Sequence, residues 1–185
     1  MKKLVLMAGL MSMPYAAFAD TYTFDSPHTF PNFVINHLGF SNIHGRFNNT
    51  TGTMTMDREK GTGSVEVVID AASIDTGFKK RDDHLRSPDF FNVNEFPEIT
   101  FKSTKVSFKG KGAEVTGNLT MKGVTKPVTL TVDSINCGPH PFNKKEMCGF
   151  GATATIKRSD FGVNYGLPAI GDEITLSLDA EAVKN

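Results

Sequence analysis

With 185 residues and 20.2 kDa, the chain is long enough for one domain with a sizeable core and short for two. Its 20 basic side chains balance 20 acidic ones and no polybasic block occurs, which excludes a non-specific nucleic-acid binder and a basic membrane-surface protein. Apolar residues make up 39%, with 15 Phe, 3 Tyr and no Trp, so a disordered or collagen-like chain is excluded and a greasy interior is expected.

The chain opens with Lys2-Lys3, an apolar stretch from Leu4 to Met13, and small residues at Ala17 and Ala19. This is the pattern of a cleavable export signal, with cleavage expected after Ala19. The apolar run is shorter than the ~20 residues a bilayer span needs. Residues 20–185 then form the expected single domain, and removal of residues 1–19 leaves 18 basic against 20 acidic side chains.

After Asp20 the pattern is mostly strand-like, with period-2 alternation broken by Gly, Asn and Pro clusters. Strands are predicted at about 21–25, 29–39, 45–57, 64–71, 98–108, 113–121, 127–135, 149–158 and 173–183. In 29–39, Phe33 and Ile35 share one face while Val34 and Leu38 share the other, so both faces are expected to be covered, one by a helix or a second subunit. The segment 77–91 differs. Phe78 and Leu85 lie seven apart on one helical face, Asp82 precedes Arg86 by four, and Ser87-Pro88 reads as a cap starting a second turn through Phe90-Phe91. Lys109-Gly110-Lys111-Gly112 and Lys122-Gly123 join alternating runs as hairpin turns. A meander of about eight strands with one short helix either closes into a barrel or stacks as a sandwich.

Cys137 and Cys148 stand eleven apart around a turn-rich stretch, and in an exported protein a disulfide is the default for a lone pair. The rival is a metal site with His140, which lacks the fourth ligand of a structural zinc site. No G-x-S-x-G elbow, Walker-type loop or dinucleotide fingerprint occurs, so hydrolase and nucleotide readings have no anchor. No pair of histidines has zincin spacing, and no catalytic residue, metal site or cofactor is expected; His37 and His44 are placed at the edge of an opening. Arg81, Asp82, His84 and Arg86 form either a polar rim or a solvated helix face. Phe33, Phe40, Phe47, Phe90, Phe91, Phe101, Phe150 and Phe161 either line a tunnel or fill a core.

Four segments taken together carry a resemblance. They are Asp25-Ser26-Pro27-His28 through His37-Leu38-Gly39-Phe40 to Gly45-Arg46-Phe47; Arg81 to Phe91 with Phe96 to Ser103; Val115 to Val128; and Ile156 to Gly162. In order and in sequence they resemble the YceI-like family of periplasmic polyisoprenoid-binding proteins. The resemblance implies an all-β, extended, lipocalin-like antiparallel eight-stranded barrel with a helix across one end. It also implies a hydrophobic tunnel for an isoprenyl chain or an isoprenoid quinone, without catalysis.

On that basis the expected ligand-binding residues are Phe33, Ile35, His37, Phe40, Phe47, Arg81, His84, Phe91, Phe101, Leu119, Phe150 and Phe161. The expected protein is a periplasmic carrier with no partner nucleic acid, no membrane span in the mature chain, and a homodimer through the outer face of strand 29–39. The rival readings are an interaction or stress protein with a filled barrel, and a metal- or redox-dependent enzyme using His37, His44 and the two cysteines.

Overall fold

The computed structural model describes residues 19–185, so the expected leader lies outside the described residues except for Ala19. Along the chain run β1 (Asp20–Phe24), β2 (Phe30–His37), β3 (Ser41–Phe47), β4 (Thr50–Asp57), β5 (Thr62–Asp70) and β6 (Ile74–Asp75). There follow α1 (Lys79–Arg86), β7 (Glu98–Lys109), β8 (Gly112–Met121), β9 (Val124–Pro139), β10 (Glu146–Lys157) and β11 (Ile170–Lys184). Every pairing is antiparallel. The order β1-β4-β5-β7-β8-β9-β10-β11 is closed by β1 pairing back on β11, which makes an eight-stranded barrel. Closure gives every strand of the ring a neighbour on both sides, while the β9–β10 ladder stops at Thr131 opposite Thr153 and the β5–β7 ladder at Glu66 opposite Lys102.

The remaining three strands continue the wall. β11 pairs with β1 through Ala182 to Lys184 and with β2 through Ile170 to Asp179, so β1 and β2 are two parts of one stave. β3 and β4 form the next stave, and β5 and β6 a third, with β2–β3–β6 extending the sheet beyond the ring. The expected single strand at 45–57 is therefore two strands. Its pairing passes from β2 to β1 across Asn48 and Asn49, where Asn48 N–H donates to Ser73 O (3.1 Å) and Asn49 O accepts from Asp70 N–H (3.0 Å).

Alternation of side chains explains the core. Along β8, Val115, Gly117, Leu119 and Met121 are buried, while Thr116, Asn118 and Thr120 lie further out. The turn from β8 to β9 has φ of 51° at Lys122 and 74° at Gly123, the paired positive values of a type I′ hairpin.

The expected helical segment 77–91 is helical only over Lys79–Arg86, because Ser87 precedes Pro88 and takes extended dihedrals (φ −71°, ψ 170°). Phe90 and Phe91 follow in turns held by their N–H groups on Ser87 O and Leu85 O. α1 packs beside β6 rather than over β2, so the outer face of the 29–39 segment is not the helix's seat. Among the described residues no helix is long and apolar enough to cross a membrane.

Candidate functional site

Two apolar clusters lie inside the barrel. The larger, at the end carrying α1, contains Phe47, Ile74, Ile99, Phe101, Leu119, Met121, Ile156 and Phe161, with Leu85, Phe91 and Val93 packed against it. The smaller, at the other end, joins Tyr22, Met54, Cys148 and Ala182 to Phe24, Met56 and Phe150. A cavity of about 210 Å³ runs between them and is lined by members of both. Its wall alternates Val, Ile, Leu, Met and Phe side chains supplied by β4, β5, β7, β8, β9, β10 and β11. The polar lining residues Thr29, Asn32 and Asp179 gather at the β1–β2 corner against β11, where Asn32 Nδ2–H donates to Asp179 Oδ2 (3.4 Å). Thr29 Oγ1 is satisfied there by Asp25 O at 2.8 Å. Thr50, also on the wall, keeps its Oγ1 buried without a hydrogen-bond partner.

Of the residues singled out in the sequence, Phe33, Phe47, Phe101, Leu119 and Phe150 lie on this wall. Ile35 shares the inner face with Phe33 but sits further along β2, opposite Ile174 and Ile43, and is not on the wall. Phe91 and Phe161 belong to the packing that closes the helical end: Phe91 meets Phe47 edge to face at 5.7 Å, and Phe161 is 1% exposed. Phe40 is 91% exposed at the β2–β3 turn, because the strand ends at His37 and Leu38 and Gly39 turn the chain with positive φ. His37 and exposed His44 stay on the β2–β3 extension, away from the cavity wall.

The charged helix does not border the cavity. Arg81 turns inward on its own segment, donating from Nε to Thr76 Oγ1 and from a terminal nitrogen to Thr76 O, both at 2.7 Å. Asp82 is buried and accepts from the Thr76 N–H (2.9 Å) and hydroxyl (2.5 Å). Arg86 reaches Ala72 O and Ile74 O. His84 pairs with Asp89 at 2.9 Å and packs edge-on against Phe90 and Tyr165, each at 5.0 Å. These contacts tie α1 to the β5–β6 corner and to the 165 loop, which is a structural task that side-chain charge alone does not reveal.

Sequence reading missed Arg158. It is 2% exposed and donates to four main-chain carbonyls, those of Gly171, Val163, Tyr165 and Ile170, at 2.8–3.0 Å. Burial lowers its pKa, partly opposed by Asp172. Asp172 in turn accepts from the Ser159 N–H (2.9 Å) and hydroxyl (2.8 Å), and these bonds hold its carboxyl below the usual range. An Arg inside a Lys-Arg-Ser-Asp run at a strand end carries no spacing signal for such a hub.

Cys137 and Cys148 face each other in register across β9 and β10 and form a disulfide, so they are not metal ligands. One group of ligand-type side chains comes together among the described residues: Asp25, His28 and Glu181, whose ligand atoms lie within 4.8 Å of one another. The Asp25–His28 ion pair at 2.8 Å accounts for most of that cluster and raises the His28 pKa through its hydrogen bond.

Comparison with known proteins places this geometry. The family model described as a YceI-like domain matches residues 22–182. A UPF0312 protein of Pseudomonas aeruginosa is 41% identical over 184 residues, 98% of this chain and 95% of the relative. Among solved structures, BcnA of Burkholderia cenocepacia superposes with a TM-score of 0.76 at 27% identity, over 85% of this chain and 98% of that one. A polyisoprenoid binding domain from Saccharophagus degradans superposes with a TM-score of 0.64 at 18% identity, over 89% and 98% of the two chains.

Proposed function

The chain belongs to the YceI-like domain family, and from that premise we propose that it is a periplasmic carrier of long-chain polyisoprenoid lipids, binding them without chemistry. The observation that carries this reading is the cavity. A barrel whose interior were only a core would fill with side chains at close-packed density, yet here about 210 Å³ is left open between two apolar clusters. An apolar cavity of roughly 150 Å³ stays dry and takes a benzene-sized guest. The present volume therefore takes a short stretch of isoprenoid chain as it stands. A longer chain enters as the flexible thioethers of Met54 and Met56 and the lining rings give way.

The polyisoprenoid named for the Saccharophagus domain fits this wall, since burying apolar chain yields about 25 cal/mol per Å² removed from water. In our reading the head group stays at the solvent-exposed β1–β2 corner, where Asn32 and Asp179 alternate with the inward Phe33 and Leu178 and pair with each other at the rim. This replaces the helix rim as its seat, because Arg81 and His84 are engaged elsewhere. The residues 1–19 pattern supports delivery to the periplasm.

Organic extraction of the protein purified from its native periplasm, followed by mass spectrometry, tests the reading. A stoichiometric isoprenoid alcohol, phosphate or quinone is expected. Repeated extracts holding only phospholipid acyl chains, or nothing, contradict it.

A further inference from the structure

Two aromatic rings of the cavity wall rest on glycines. Gly45 stands directly opposite Phe33 in the β2–β3 register, and a Cβ built on it would come within 3.0 Å of three ring atoms, Cζ, Cε1 (2.8 Å) and Cε2 (2.9 Å). Gly117 on β8 lies beside Phe101 on β7, and a Cβ there would meet the Phe101 ring at 2.5 Å and the Lys102 carbonyl oxygen at 2.6 Å. Neither glycine has a positive φ, so backbone conformation does not require glycine at either place. What each supplies is room. The vacant side-chain position is filled by a phenylalanine that thereby lies against the wall instead of standing in the bore. At Gly45 the three nearest atoms all belong to the Phe33 ring, so the ring is the part that would have to move.

We infer that Gly45 sets the gauge of the bore by parking the Phe33 ring, and so determines the width of the chain the cavity admits. This rests on the lipid-carrier reading and deepens it. An isoprenoid carries a methyl branch on every fourth backbone carbon and is wider than a straight alkyl chain of similar length. A methyl group at position 45 displaces the ring away from β3, and the open side available to a wall residue is the cavity. The narrowed bore excludes the branched chain before the straight one. Gly117 parks Phe101 in the same manner, but its contact with Lys102 O makes Gly117→Ala a backbone perturbation, and Gly45 is the position that isolates the effect.

The test is equilibrium binding of geranylgeraniol and of hexadecan-1-ol to the full mature chain, to Gly45→Ala, and to Gly45→Ala combined with Phe33→Leu. The expected result is a loss of about tenfold in geranylgeraniol affinity for Gly45→Ala, about 1.4 kcal/mol, with hexadecan-1-ol affinity nearly unchanged. Removing the ring in the double variant restores geranylgeraniol binding, the non-additivity expected of two residues in contact. Equal losses for both probes, no loss, or a loss that persists without the ring overturns the inference. A wild-type protein that binds neither probe removes the carrier reading instead. The gauge claim then rests on the crystal structure of ligand-free Gly45→Ala: a Phe33 ring turned into the cavity supports it, and an unmoved ring overturns it.

Discussion

At the scale of single residues, inward and outward positions carry different consequences. Leu130 lines the cavity, whereas Lys109 is exposed and pairs with Glu114 across the β7–β8 turn. Leu130→Trp is predicted to keep the barrel at an overpacking cost of about 1–3 kcal/mol, while reducing copurifying lipid about tenfold. Lys109→Ala should leave lipid content unchanged. Circular dichroism together with extraction reads both effects, and equal losses would contradict the inside-outside assignment.

Asp172 offers a pH prediction at the same scale. Its folded pKa lies below the unfolded value, so its contribution to stability is present at neutral pH and is lost as pH falls below about 4. Denaturation midpoints of the wild type and Asp172→Asn should therefore differ at pH 7 and converge on acidification. A gap that persists once acid has protonated Asp172 in the folded protein would assign its cause to packing rather than charge. The residue scale is also where the sequence was least legible. Period-2 alternation placed Phe101 and Leu119 inward, but it has no means of showing that Arg158 turns onto four carbonyls or that Arg81 closes on Thr76. Those partners are main-chain atoms and hydroxyls fixed by tertiary structure.

At the scale of elements, strands were legible wherever alternation ran unbroken, as in β8 and over residues 173–183 of β11, and β7 was legible despite the irregularity between Ser103 and Lys105 that moves its inward set from Ile99 and Phe101 to Val106 and Phe108. Corners were not. The β3–β4 break at Asn48–Asn49 shifts the inward set from the odd positions Ile43, Gly45 and Phe47 to the even positions Thr50, Gly52 and Met54, and this one-residue slip falls among polar and small residues where the hydrophobic pattern is too weak to mark it. The helix came out shorter than its amphipathic signal, since Pro88 fixes its end. The disulfide was legible from the export-type pattern of residues 1–19 and the cysteine spacing together, and the register sets Cys137 directly opposite Cys148, joining two neighbouring strands. Because that hairpin closes a short loop, replacing both cysteines by alanine should lower unfolding free energy by about 2–3 kcal/mol in the chain-entropy account. Urea denaturation of the oxidised protein and the double variant checks this. An unchanged midpoint would mean that strand pairing alone already restricts the unfolded loop.

At the scale of the whole molecule, barrel closure makes a lined interior, and the balance of large and small inward residues decides whether it is full. Composition announced the grease, in 15 Phe without Trp, and four ordered motifs announced the family. Neither distinguishes a ring that crosses a bore from one that lies along its wall. That distinction depends on the residue facing the ring across the sheet, as Gly45 faces Phe33. The cavity also explains where recognition is concentrated. On the proposed reading, chain length and width are what the apolar wall senses, with the buried Thr50 hydroxyl its polar exception and Asn32 and Asp179 at the exposed rim.

The most direct measurement of the central claim, that an apolar chain lies along the interior of the barrel, is affinity as a function of chain length for a series of isoprenoid alcohols. Each added unit buries more surface, so binding should strengthen stepwise and level off once the bore is occupied, with Leu130→Trp moving the plateau to shorter chains. An affinity independent of length from the shortest alcohol onward, or a plateau indifferent to Leu130→Trp, would place the lipid on the outside of the molecule and contradict the account.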